Sequence, residues 1–298
     1  GEGIYFDIST FKDYGKLSRR TVEQAEDAVS RIDESVKKRN RGDFALWKSS
    51  KPGEPKWPSP WGEGRPGWHI EDTAITETEF GAQYDIHGGA RDLIFPHHES
   101  EIAQMEAISA KKPLVNYWMH TGFLTINGQK MSKSLGNFIT IHEFLEKHSK
   151  EVFRLFVLSS HYRSPIDYTE AAVKQAEENV RRLEEFHNKL MRLASPPPTP
   201  PLPAYRAGRL TKERGKEGEV EKSFYTHLDD DFNTPKALAA LFDLVRDGNA
   251  LLDEQKITTE DARQILDFLT QVNSISKIPR RDRRYKNQNP RNVRGSYL

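Results

Sequence analysis

Cysteine is absent from the 298 residues, which removes disulfides and protein thiolates as metal ligands. There is also no run of 18 apolar residues and no signal-peptide pattern, so a cytoplasmic protein without a membrane span is expected. Neither sign of charge is in excess: 45 Lys+Arg face 44 Asp+Glu, a formal net charge of +1. No global field asks for nucleic acid, and any RNA contact must come from local basic patches. The chain opens Gly1-Glu2-Gly3 without an initiator Met and quickly reads as mid-domain sequence, so a fragment is expected. What is present is globular. With 36% hydrophobic and 30% charged residues, there is room for two or three domains.

The most distinctive stretch is Lys130-Met131-Ser132-Lys133-Ser134, inside TGFLTINGQKMSKSLGN. Phe123-Leu124-Thr125-Ile126 reads as a strand and Asn127-Gly128 as a tight turn. A Gly-flanked loop with two ammonium groups and two hydroxyls suits a triphosphate. The cations neutralise charge that builds up on leaving pyrophosphate, and the hydroxyl and backbone donors orient it. A solvated basic loop is the plain alternative.

A second constellation lies in residues 66–105. Pro66 to Asp72 leads into a short helix, Tyr84 to Gly89 forms a strand ending in a Gly-rich turn, and His97-His98-Glu99-Ser100-Glu101 opens a helix. His97 and Glu101 are spaced i, i+4, so both project from one helix face, and imidazole with carboxylate at that spacing suits zinc. The plain alternative is a helix N-terminus whose acids answer the dipole. His120 either faces a nucleotide base or caps a strand.

Around these, residues 21–39 read as a charged, solvated helix, and the Trp/Pro/Gly-rich stretch to Gly67 as an ordered loop held by Trp57 and Trp61. Residues 149–194 are helical. Val173, Ala176, Val180, Leu183, Phe186, Leu190 and Leu193 mark one buried face. Prolines then form a stiff linker over 195–203, and a charged, poorly ordered segment follows at about 206–222. At Asp229-Asp230-Asp231-Phe232-Asn233-Thr234-Pro235 a new helix starts, with Asn233 or Thr234 as N-cap and Leu238, Leu241, Phe242 and Val245 as its stripe. The aspartates are read as answering its dipole. A short amphipathic helix spans 259–272. Residues 279–298 read as a disordered basic tail.

Taken together, KMSKSLGN, GWHIE, HGG with HHE-x-E, and DDDFNTP occur in an order that resembles the cysteinyl-tRNA synthetases, members of the class I aminoacyl-tRNA synthetases. The resemblance covers about residues 1–275. It implies an α/β fold: part of a Rossmann-like class I synthetase catalytic domain followed by an all-α helical bundle. Residues 1–60 would be an insertion in the catalytic domain, 61–145 its second half with the KMSKS loop, and 146–278 the helical stem and bundle. The family's HIGH-type motif has no counterpart here, since neither His69-Ile70-Glu71 nor His87-Gly88-Gly89 gives His-x-Gly-His.

What the resemblance implies for the site can be stated residue by residue. Lys130 and Lys133 would be catalytic, stabilising pyrophosphate. Lys130, Met131, Ser132, Lys133 and Ser134 would form the ATP-binding loop, with ATP carrying Mg2+. Trp68, His87 and Asp92 would line the cysteine pocket. His97 and Glu101 would ligate zinc, with Asp72 standing where the family has a cysteine ligand. That exchange puts oxygen in place of a soft thiolate and weakens the expected zinc site. A further family cysteine ligand falls in a segment expected to precede residue 1. The implied activity is ATP-dependent activation of cysteine and its transfer to tRNA(Cys) by a monomeric, cytoplasmic ligase, with this chain inactive alone. Two other readings stand beside it: a ligase of the same fold joining cysteine to an amino-sugar, and a non-catalytic tRNA-binding remnant.

Overall fold

The computed structural model describes residues 3–20, 24, 38–132, 135–195 and 214–278. The expected 21–39 helix, the proline linker and the basic tail lie wholly or mostly outside the described residues. The chain forms two compact units, Gly1–Phe123 and Leu124–Leu298.

In the first unit, β1 (Gly3–Phe6), β2 (Phe44–Ser49) and β3 (Gly64–Pro66) form an antiparallel sheet in that order. Phe6 stacks on Phe44 at 5.0 Å, fixing the register of the first pair. The Trp/Pro/Gly-rich stretch, expected to lack regular structure, closes with β3 and a Trp57–Gly64 bridge. Helix α1 (Trp68–Phe80) follows at once. A Cβ on Gly67 would stand 1.9 Å from the Ala45 carbonyl oxygen, so only glycine lets the start of α1 approach β2 this closely.

Strand β4 (Tyr84–Ala90) pairs in parallel with β5 (Val115–Thr121), setting His87 beside Trp118 and Gly89 beside His120. The strand runs through Gly88-Gly89 rather than ending in a turn there. Between them lie a one-turn helix (Arg91–Leu93), a wide π-type turn (Ile94–His98) and α2 (Glu99–Ser109). Helix α2 packs Ile102, Ala103 and Met105 against Ile8, Phe11, Tyr14, Leu114 and Val115. Its acids are fastened too: Glu99 accepts from the Leu17 and Ser18 amides, and Glu106 pairs with Lys16.

The second unit begins with the hairpin β6 (Leu124–Ile126) and β7 (Gln129–Lys130). Asn127 (φ 50°) and Gly128 (φ 78°) both take positive φ at its tip, as a two-residue hairpin turn requires. On its other edge β6 pairs in parallel with β8 (Ile166–Tyr168). The stretch 149–194, read as continuously helical, is therefore divided: α4 (Lys150–Leu158), β8, then α5 (Glu170–Ala194), after α3 (Ile141–Lys147).

Val173, Ala176, Val180, Leu183, Phe186 and Leu190 form the buried stripe of α5, as their spacing predicts. They pack with α6 (Arg214–Asp229), α7 (Thr234–Asp253) and α8 (Thr259–Ser276) in one core. Each fully buried Leu or Phe there contributes about 1.5–3 kcal/mol by leaving water. Asn233 caps α7, accepting from the Lys236 amide. Two expectations are corrected. Part of the segment read as poorly ordered is helix α6, whose apolar face, with Phe224 buried, joins that core. Asp231 does not answer the α7 dipole; it sits at positive φ, accepting from Arg163 at 2.5 and 2.9 Å and from the Tyr162 hydroxyl at 2.6 Å.

Candidate metal centre and nucleotide loop

Glu101 is the centre of the first site. It lies on the first turn of α2, its side chain 3% exposed, with neither carboxylate oxygen accepting a hydrogen bond. A buried carboxylate without donors is costly unless a cation or proton compensates. Burial first, and the neighbouring Asp72 carboxylate second, push its carboxyl up to about 8.

His97 brings Nε2 to 3.2 Å from Glu101 Oε1 and to 2.7 Å from Asp72 Oδ2. Asp72 reaches in from α1, its side chain 46% exposed at the rim. Thus Asp72, His97 and Glu101 come together, with donor atoms within 4.8 Å of one another. Burial lowers the His97 imidazole below its ordinary range against the opposing pull of Asp72, which favours its neutral form. A neutral imidazole keeps a lone pair available for a metal.

The surrounding side chains fix these rings. His69 Nδ1 lies 2.8 Å from His97 Nδ1, and burial lowers His69 to about 3, keeping it neutral. Trp68 stacks on His97 at 4.3 Å. His87 meets the Tyr84 hydroxyl through Nδ1 at 2.7 Å, while its Nε2 is 3.6 Å from Glu101 Oε2. Desolvation raises the Tyr84 phenol to about 12, so it remains protonated. His98, fully buried, bonds through Nδ1 to His120 Nε2 at 2.8 Å, and burial lowers it to about 3. Trp118 lies against both His87 and His98. Asp92 is exposed on the Arg91–Leu93 turn.

An orphaned buried carboxylate, a neutral imidazole oriented by a second ring, and a rim carboxylate fit a divalent cation. The plain alternative, acids answering a helix dipole, leaves both the burial of Glu101 and its missing donors unaccounted for. His69, His98, Tyr84 and Trp118 were not foreseen. One signal was present: His69 precedes Asp72 by three residues on α1, and so shares its face.

The KMSKS loop begins where β7 ends. Lys130 is exposed, and Met131 and Ser132 are half-buried. Asn137 ties the loop back on itself: its Oδ1 accepts from the Ser132 amide at 2.9 Å and its Nδ2 donates to the Lys130 carbonyl at 3.3 Å. Ser132 Oγ accepts from the Leu135 amide at 3.3 Å. Lys133 and Ser134 lie outside the described residues.

Sequence comparison decides which proteins share this order of elements. The family described as tRNA synthetases class I (C) catalytic domain matches residues 1–178, and the DALR domain matches residues 223–278. This chain belongs to the class I (C) tRNA synthetases. It is 47% identical over 266 residues to a cysteine–tRNA ligase of Heliobacterium modesticaldum, covering 89% of this chain and 55% of that protein. A cysteine–tRNA ligase of Thermococcus gammatolerans is 46% identical over 281 residues, 92% of this chain and 57% of that protein. The chain therefore spans about half the length of the curated relatives it matches. Among solved structures, the Agrobacterium radiobacter LeuRS–tRNA–LeuAMS ternary complex is similar with a TM-score of 0.57 at 15% identity, covering 75% of this chain and 33% of that one. At that identity the likeness speaks for the fold alone: an α/β region followed by helices. No described helix is long and apolar enough to cross a membrane.

Proposed function

We propose that this chain carries the cysteine-selecting centre and the pyrophosphate loop of a cysteine–tRNA ligase. The observation that carries the reading is the buried, unpartnered carboxylate of Glu101 converging with His97 and Asp72 in a class I (C) synthetase. Zinc held by Asp72, His97 and Glu101 would supply a soft acceptor for the thiolate of cysteine, favouring it over the hydroxyl of serine. Asp72 at the rim offers oxygen, so the three protein donors are harder than a thiolate set. Trp68, stacked on His97, and His87 form the walls of the amino-acid pocket, with Asp92 at its outer margin. Lys130 and Lys133 neutralise charge on the departing pyrophosphate of ATP–Mg2+, while Met131, Ser132 and Ser134 shape the loop around it. The DALR match over residues 223–278 favours tRNA(Cys) over an amino-sugar as the acyl acceptor. We expect a cytoplasmic monomer.

The 298 residues contain no His-x-Gly-His, so the chain by itself is expected to give no cysteine-dependent ATP–pyrophosphate exchange. The reading is tested in a chimera in which residues 4–275 replace the matching part of the Heliobacterium modesticaldum ligase. The chimera should exchange pyrophosphate with cysteine and not with serine, and Lys130→Ala or Lys133→Ala should lower the rate far more than cysteine affinity. A folded chimera that exchanges nothing with cysteine, or is indifferent to both lysines, overturns it.

A further inference from the structure

Strand β8 sets one carboxylate between two residues that face the core. Ile166 and Tyr168 pack against the helical core, Tyr168 edge-on to Phe144 and Phe156 at 6.1 and 5.9 Å. Alternation along the strand turns Asp167 to the opposite, exposed face. The strands lie in the order β7-β6-β8, and Thr125 of β6 is paired with Lys130 on one side and with Asp167 on the other. Residues paired across strands share a face, so Asp167, Thr125 and Lys130 form one row.

Asp167 grips the hairpin at two points with one oxygen. Its Oδ1 accepts from the Gly128 amide at 2.9 Å and from the Thr125 hydroxyl at 2.7 Å. Those two bonds hold its carboxyl below the usual carboxylate range, so it accepts as an anion. The other turn amide, that of Asn127, donates to the Tyr168 carbonyl at 3.3 Å. Both residues of the positive-φ turn are thus fastened from β8. Beyond the turn, the Met131 amide donates to the Leu124 carbonyl at 3.2 Å, and the Ser132 amide is held by Asn137. Asn137 closes the KMSKS loop on itself, whereas Asp167 ties it to the helical core. Thr169, two residues further on, caps α5 by accepting from the Ala172 amide.

We propose that Asp167 is a positioning residue for Lys130: from β8 it holds the hairpin that carries the lysine toward departing pyrophosphate. This rests on the role given above to the KMSKS loop and adds the group that steadies it. Lys130 follows the turn by two residues, so looseness at Asn127-Gly128 becomes displacement of an ammonium group already on a flexible four-carbon stem. A cation fixed before the reaction need not be ordered during it. Asp167 touches no reacting atom and acts only through the hairpin.

Hydrogen exchange of the purified chain, followed at individual amides by nuclear magnetic resonance, tests this. Asp167→Ala should speed exchange at Met131 and Ser132, neither of which bonds Asp167, by about 10-fold, while the amides of α5 keep their rates. Asp167→Asn keeps an acceptor at Oδ1 and should stay within about 2-fold of the unsubstituted chain. Magnesium pyrophosphate should slow exchange at Met131 and Ser132, and Asp167→Ala should need about 10-fold more of it. Unchanged exchange at these two amides in Asp167→Ala, equal acceleration in both variants, acceleration that extends to α5, or an unchanged pyrophosphate requirement overturns the proposal. Loop opening in Asp167→Ala with no response to pyrophosphate in any form upholds the anchor and removes the pyrophosphate role of the loop instead.

Discussion

Replacing Lys16 by methionine leaves the Glu106 carboxylate buried without its cation. The ammonium sits 2.7 and 2.5 Å from the two carboxylate oxygens, with the Glu106 side chain 0% and that of Lys16 34% exposed. The same carboxylate accepts from the Leu114 amide at 3.1 Å, so the pair ties α2 to the start of β5 and to the 14–18 turn. Removing one partner of a fully buried pair costs about 3–5 kcal/mol. Because Lys16 is a third exposed, water offsets part of that, and Lys16→Met should cost about 2–3 kcal/mol. Glu106→Gln keeps an acceptor for Leu114 and lets Lys16 turn to solvent, so about 1–2 kcal/mol is expected. The double variant should lose less than the sum of the two, by about 1–2 kcal/mol. All five tryptophans (47, 57, 61, 68 and 118) lie in the first unit, so urea unfolding followed by their fluorescence reports on this unit. Single effects that add within about 0.3 kcal/mol would refute a direct buried pair.

Three other outcomes are expected. His69→Ala should weaken Zn2+ affinity by about 10–100-fold through loss of the partner that orients His97, read by chelator competition; unchanged affinity would mean that His97 is held by packing alone. Asp72→Cys should tighten Zn2+ binding and move selectivity away from Mn2+ by restoring a soft donor; competition between the two ions measures it, and an unmoved preference counts against Asp72 as a ligand. Asp231 is held at about 2, chiefly by its hydrogen bond from Arg163. A depressed carboxyl stabilises the fold above its unfolded value and loses that contribution as pH falls through its folded one. The urea midpoints of the unsubstituted chain and Asp231→Asn, monitored by helical circular dichroism, should therefore converge as pH drops from about 4 to about 2. A gap independent of pH in that window would contradict the pairing.

Much of the helical unit was legible because its signals are local. The stripe of α5 repeats at helical spacing, and Asn233 followed by Thr234-Pro235 marks a helix start without any knowledge of tertiary structure. The hairpin before the KMSKS loop was equally plain from Asn127-Gly128. The i, i+4 spacing of His97 and Glu101 placed both on one face, but their surroundings come from elsewhere in the chain. His98 meets His120 only because β4 and β5 pair in parallel, and His69 meets His97 only because α1 packs beside α2. Helix α6 carries so much charge that its composition resembles a solvated linker, and only the bundle reveals a buried face. Asp231 was misread for a related reason: its partner Arg163 is 68 residues away, and nothing local announces it.

Selection of cysteine is proposed to rest on Asp72, His97 and Glu101 presenting a metal to its thiolate. The most direct measurement is absorption spectroscopy of the Co2+-loaded chain during titration with cysteine and, separately, with serine. A sulfur-to-cobalt charge-transfer band that grows with cysteine, is absent with serine, and disappears in Glu101→Gln is predicted. A spectrum that cysteine and serine change alike, or that cysteine leaves unchanged, would contradict it.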